Sequence, residues 1–152
     1  MKTKTQLFLE LWQEARTRFT NQIQNITEQD LLKKLGTSPN SVGFLIRHIG
    51  DVELLFAKNI FGAPDVKVVA KTVIDKHDSG GWTNLQELKE YVAYSFETLK
   101  SIVEIQTDED WETEITTKEF GTKTKAEAFG RIISHTVYHA GQMAIVNKYG
   151  TK

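Results

Sequence analysis

Residues 124–150 read TKAEAFGRIISHTVYHAGQMAIVNKYG, and the fold is decided here. Thr124 precedes Glu127 by three positions, the spacing of a capping box, in which the hydroxyl and the carboxylate each satisfy a free backbone amide at a helix start. Phe129, Ile132, Val137, Ala140 and Met143 then recur as an apolar stripe, so one long helix is predicted from Thr124 to Tyr149-Gly150. Inside it His135 and His139 stand four apart. Successive helical residues turn by about 100°, so the two rings project from adjacent turns only about 40° apart. That placement suits two imidazoles converging on one metal ion, and it equally suits two histidines flanking a core. A third ligand from elsewhere in the chain has to decide.

Three more segments carry the same periodicity. The first runs from about Lys4 to Ile26, with Leu7, Phe8, Leu11, Trp12, Ala15, Phe19 and Ile23 at three- and four-residue steps. It is followed by TEQDLLKKLG (27–36), where Thr27 and Asp30 resemble a capping pair for a short turn closed by Gly36. The second, SVGFLIRHIGDVELLFAKNIFG (41–62), begins after Ser38-Pro39-Asn40, with Ser38 or Ser41 as its cap. Its buried face is predicted to hold Phe44, Leu45, Ile49, Val52, Leu55, Phe56 and Ile60, with Arg47, Leu54 and Lys58 on the far side. The third starts at Thr83, capped by a T-N-L-Q box with Gln86, and reaches about Ile105. Pro39 and Pro64, the only two prolines, both fall in breaks between these segments.

Between the second and third helices lies a long connection through Gly80-Gly81, in which VKVVAKTVI (66–74) suggests a short extended piece. Connections of this length often shape a site. Thr107 to Thr124 is polar and irregular, and TEITTKEFGTKT within it fits a hairpin around Gly121. The expected fold class is all-α: a four-helix bundle forming one domain over residues 1–152, with a long second connection and a hairpin or irregular segment before the last helix.

Composition narrows the function classes. Nineteen basic against twenty acidic residues leave a formal charge of -1, so no global positive field draws nucleic acid or an anionic membrane. There is no cysteine, which removes thiolate metal sites, cysteine nucleophiles and disulfides together. Any metal must bind through nitrogen and oxygen. The N-terminus mixes Glu10, Gln13 and Glu14 among its apolar residues and so lacks a signal-peptide core. No stretch approaches the roughly 18 unbroken apolar residues of a membrane span. A cytoplasmic protein is expected.

The third ligand candidate is His48, on the second helix, which a helical projection places inward among Phe44, Leu45, Val52 and Leu55. A buried neutral imidazole has a donor and an acceptor to satisfy, and an unpaired one costs about 1–3 kcal/mol. One divalent ion serves three such rings at once, and three histidines with an open position are a common catalytic arrangement. Three buried histidines hydrogen-bonded to the protein are the competing reading. The HExxH motif is absent, because Thr136 follows His135, so no helix-borne glutamate base of the metalloprotease kind is present.

His48 in FLIRHIGDVE, followed by HTVYHAGQM, resembles the DinB-like family over essentially the whole chain. The resemblance implies a homodimeric four-helix bundle with a divalent ion held by one histidine of the second helix and two of the last. Those positions are His48, His135 and His139, with none substituted. Zinc or nickel suits such ligands. It also implies two chemistries, transfer of a low-molecular-weight thiol to an electrophile and hydrolysis, with a small-molecule substrate.

Around these residues, Gln142 shares the face of His139 and could bond a metal-bound water or backbone. Asp51, three residues past His48, could bind metal, orient a histidine or act as a base, and is read as a solvated or supporting carboxylate. Glu53 borders the apolar stripe with less reason to approach the ion. Gly141, with Tyr138 and Ile145, faces outward and hints at a partner chain. His77 lies in a loop and is left outside the site. Trp12, Trp82 and Trp111 are read as core or anchoring aromatics. The alternative to an enzyme is a non-enzymatic, metal-stabilised bundle that binds a small ligand or a protein partner in a stress response.

Overall fold

Every long helix begins at a side chain that accepts a free amide of its first turn, which is where the sequence commits each segment to helix. In the computed structural model, which describes residues 1–152, Thr3 caps α1 (Lys4–Ile23) and Ser41 caps α2 (Val42–Asn59). A single turn, α3 (Lys71–Ile74), interrupts the long connection; Asn84 caps α4 (Leu85–Glu104) and Thr124 caps α5 (Lys125–Tyr149). The reciprocal bond from Gln6 or Glu127 completes a capping box at Thr3 and at Thr124. Between α4 and α5 lies an antiparallel hairpin, β1 (Glu114–Thr117) and β2 (Gly121–Thr124), paired from Glu114 with Thr124 to Thr117 with Gly121. The fold is an all-α bundle with this small hairpin as its only sheet. No helix is long and apolar enough to cross a membrane.

Several expectations are corrected. The first helix stops at Ile23, and Ile26 is buried from the turn that follows. VKVVAKTVI holds no strand: it has no sheet edge to pair with, and Lys71–Ile74 coils into one helical turn. Asn84, not Thr83, caps α4, its side chain accepting the amide of Glu87. On α2, Leu54 is wholly buried while Leu55 is half-exposed, so the apolar face is rotated from the one expected. On α1, Leu7 and Leu11 remain exposed, whereas Arg16 is buried.

The helices follow one another around the bundle in the order α1, α5, α2, α4, with α1 and α2 on one diagonal. One core cluster joins Phe19 and Ile23 of α1, Leu45 and Ile49 of α2, Val92 of α4 and Met143 of α5. The other joins Trp12, Phe56, Leu99 and Phe129 with Trp111. Taken in chain order, these residues make α2 and α4 parallel neighbours. The chain leaving α2 must therefore travel back along its full length, about 27 Å at 1.5 Å per residue, and the long connection does so. Asp51 holds Thr72 through backbone and side chain, Arg47 donates to the Val69 carbonyl at 3.1 Å, and Asp78 accepts the Ser41 amide at 2.9 Å. Two glycines of α2 permit close packing, Gly43 against the end of the connection and Gly50 against α4. A Cβ on Gly43 would lie 2.1 Å from the Trp82 carbonyl oxygen, and one on Gly50 would lie 2.8 Å from the Tyr91 ring.

A charged layer lies in the interior of the bundle. Arg16 Nε donates to Glu53 Oε1 at 2.6 Å, and its Nη2 donates to Glu53 Oε2 at 3.1 Å and to the Val92 carbonyl at 2.8 Å. Ser95 donates to the same carboxylate, and the guanidinium sits 4.6 Å from the Phe96 ring centroid. This ties α1 to α2 across the diagonal, with α4 as witness. Glu53 is therefore structural, and its apparent place at the border of the stripe reflects a partner that the local sequence does not show.

Removing one member leaves the other charged and buried. Glu53→Ala is expected to lower the unfolding free energy by about 3–5 kcal/mol, whereas Glu10→Ala, which breaks the exposed pair with Lys2, should cost less than about 1 kcal/mol. Urea denaturation of both variants measures the difference; equal effects would contradict the assignment.

Candidate metal centre

Packing α2 against α5 brings His48 beside His135 and His139, and one nitrogen from each ring lies within 4.8 Å of the others. His48 Nε2 and His135 Nε2 are 3.1 Å apart. The ring centroids stand 4.4 to 4.9 Å from one another. Phe44 stacks on the outer face of His48, with centroids 5.7 Å apart and planes nearly parallel. The three residues expected to form a site are thus brought together, and His77 is not among them: its ring bonds the Asp75 carbonyl in an exposed loop.

Gln142 was expected near the site, and its partner is the ring of His139 itself. Gln142 Oε1 lies 2.7 Å from His139 Nδ1. An amide oxygen only accepts, so His139 carries its proton on Nδ1 and keeps the Nε2 lone pair free. Asp51 is not solvated: it is fully buried and takes no place in the cluster. Oδ1 accepts from Arg47 Nε at 2.8 Å and from the Tyr91 hydroxyl, and Oδ2 accepts from the Thr72 amide at 3.1 Å and hydroxyl at 2.7 Å. Burial, followed by this bond to Asp51, raises the Tyr91 hydroxyl well above the usual tyrosine value. Thr72 Oγ1 in turn lies 3.0 Å from His48 Nδ1.

Thr72 and Tyr91 were not foreseen. Thr72 comes from the middle of the connection, whose length was its only sequence signal, and Tyr91 comes from α4, where nothing in the sequence singled it out.

The donor set fits a divalent cation. Two nitrogens each about 2.0–2.1 Å from a tetrahedral zinc stand roughly 3.3 Å apart, close to the 3.1 Å seen here. A ring-to-ring hydrogen bond joins only two of the three, and His135 Nδ1, buried without a partner, is left unserved in either arrangement. One cation takes a lone pair from all three rings. Burial also keeps the rings uncharged, as coordination requires. It pushes His48 down to about 4, helped by His139, with Asp51 opposing. It pushes His135 down to about 3, helped by His139 and His48. His139 is lowered by burial, with the Gln142 bond opposing.

The trio opens onto a cleft of about 720 Å³. Val52 and Phe56 of α2, with Ile60 just past its end, give it an apolar wall, Val73 contributes from α3, and Phe120 lines it from the hairpin turn. Arg131 reaches across that turn, 3.5 Å from Glu119 and 4.9 Å from the Phe120 ring centroid. Lys118 adds a second cation among the lining residues.

These shifts have a consequence for the metal-free protein. Unfolded histidines bind a proton below about pH 6.5, while the folded ones refuse it until about pH 4 and 3. The unfolded state therefore holds more protons in that interval, and stability, complete above about pH 6.5, declines as the pH falls. Asp30, held at about 2 chiefly by its bond from Lys33, adds a loss only at lower pH. The urea midpoint of the metal-free protein is expected to fall between pH 6.5 and 4.5, and less so in His135→Leu; a midpoint unchanged over that range would contradict the burial.

Comparison with known sequences comes to the same place. No curated protein matches the chain. The sequence model described as the DinB superfamily matches residues 11–143, a span that takes in His48, His135 and His139 and most of all four long helices. With the helical bundle and the three-histidine cluster in place, the chain belongs to the DinB superfamily.

Proposed function

We propose that the protein is a divalent-metal-dependent enzyme that transfers a low-molecular-weight thiol to an electrophile or carries out a hydrolysis. The observation that carries this reading is the convergence of three ring nitrogens at the edge of an open, largely apolar cleft. Zinc or nickel best suits the imidazoles, and such an ion, when bound, lowers the pKa of water or of a thiol enough to make a nucleophile near neutral pH. The absence of cysteine is compatible with thiol transfer, since the sulfur arrives with the cosubstrate.

In this reading the chain's own residues divide the work. His48, His135 and His139 hold the ion through nitrogen, and Gln142 holds His139 in the ligating tautomer. Val52, Phe56 and Phe120 enclose the apolar part of a substrate, and Arg131 and Lys118 offer charge to an anionic part. Asp51 does not close the coordination shell, because both its oxygens are engaged by Arg47, Tyr91 and Thr72. A coordination position left to solvent or substrate supports an enzyme over a sealed structural metal, which would be ringed by protein groups.

A homodimer belongs to the same reading. A side chain on Gly141 would meet nothing within 4 Å, and Tyr138 and Ile145 beside it are exposed, a surface suited to a second copy.

Purified protein is expected to carry a divalent ion that His48→Ala and His135→Ala lose. With the ion retained, the wild-type chain should turn over in a screen of thiol conjugation or of hydrolysis, and both variants should be inactive. Full metal content without turnover in either screen would favour the non-enzymatic bundle. Metal content unchanged in both variants would remove the ligand assignment.

A further inference from the structure

The Asp51 carboxylate receives four donors: Arg47 Nε, the Tyr91 hydroxyl, and the Thr72 amide and hydroxyl. A threonine hydroxyl has a single proton. Directed at Asp51 Oδ2 over 2.7 Å, that proton is not available to His48, so across the 3.0 Å contact Thr72 Oγ1 can only accept. His48 must then carry its hydrogen on Nδ1, and its Nε2 is left as a bare lone pair aimed at His135.

From this geometry we infer that Thr72 is a positioning residue for the metal centre: as the middle member of an Asp51–Thr72–His48 chain it selects the His48 tautomer that can ligate and fixes the ring plane. The inference rests on the three histidines holding the ion. It goes beyond that reading in giving the connection between α2 and α4, a segment without ligands, control over one of them.

Three features support the assignment. Thr72 and Asp51 are both buried, 3% and 0% exposed, so water does not compete for the hydroxyl. The Thr72 backbone amide is also bound to Asp51, which fixes the main chain from which Oγ1 projects, while the hydroxyl's own bond to Oδ2 holds its rotation. Asp51 in turn cannot swing toward His48, because Arg47 and Tyr91 hold its other oxygen, and Arg47 lies 3.6 Å from the Tyr91 ring centroid. Partners that orient a metal-bound histidine in this way are typically worth about 10–100-fold in metal affinity. His135 has no counterpart, since its Nδ1 is buried without a partner, so orientation of the trio rests on His48 and His139.

Thr72→Val keeps the shape and the backbone amide but removes the hydroxyl, and Thr72→Ser restores it. Nitrogen-15 NMR of the metal-free protein should show His48 protonated on Nδ1 in the wild type and in Thr72→Ser, with the Nε2-protonated form gaining population in Thr72→Val. Zinc titration should show affinity falling about 10–100-fold in Thr72→Val and returning in Thr72→Ser. His48 remaining wholly Nδ1-protonated in Thr72→Val, or affinity failing to return in Thr72→Ser, would overturn the role. The NMR measurement needs no metal: if no variant and not even the wild type binds zinc, the metal reading fails while the tautomer result still decides what Thr72 does to His48.

Discussion

Three imidazoles with ring nitrogens within 4.8 Å of one another impose the constraint on which the rest depends. They cannot all be charged, because like charges at that distance in a partly buried site repel strongly. Nor can they satisfy one another, because a hydrogen bond joins only two. Burial keeps them neutral, Gln142 and Thr72 take the outward nitrogens of two rings, and the inward lone pairs are left for a shared electrophile. The surrounding structure serves this arrangement by placing α2 against α5 and fixing both.

The bundle's topology supplies that placement. Because α2 and α4 run in the same direction, the chain between them has to return along α2, and on the way it passes the histidine layer. Thr72 and Val73 are neighbours on that return path: one contacts His48, the other lines the cleft. A simple up-and-down bundle with short loops would have no such segment to offer. The buried Arg16–Glu53 pair acts at another level, joining the diagonal helices that do not otherwise form a major contact. Since it costs desolvation, its contribution is best understood as holding one relative placement of α1 and α2.

How much of this was legible in the residues differs by kind of interaction. Local signals were read well: the Thr124 box, the Thr27–Asp30 pair and the hairpin closing at Gly121, where φ is +72°, each depend on residues within a few positions of one another. His48, His135 and His139 were found because helical projection places inward residues without knowledge of neighbours, and a family resemblance joined the two helices. Apart from the α4 cap, expected one residue early at Thr83, what was missed depends on contacts far apart in the chain. Nothing near Arg16 in the chain announces its partners Glu53 and Val92, and for Asp51, read as solvated or supporting, only the distant Thr72 and Tyr91 decide between the two. Leu54 and Leu55 changed places because α4 and the connection cover α2 from a side that periodicity alone does not specify. Thr72 had no motif, only a place in a long connection.

In the proposed function the three histidines share one cation and leave part of its coordination to solvent or substrate. X-ray absorption spectroscopy of the zinc-loaded protein tests this most directly. Three nitrogen scatterers at about 2.0–2.1 Å with imidazole outer-shell features are expected, together with a light-atom ligand that changes when a small thiol is added. A fourth protein ligand closing the shell, or fewer than three imidazoles on the metal, would contradict that arrangement.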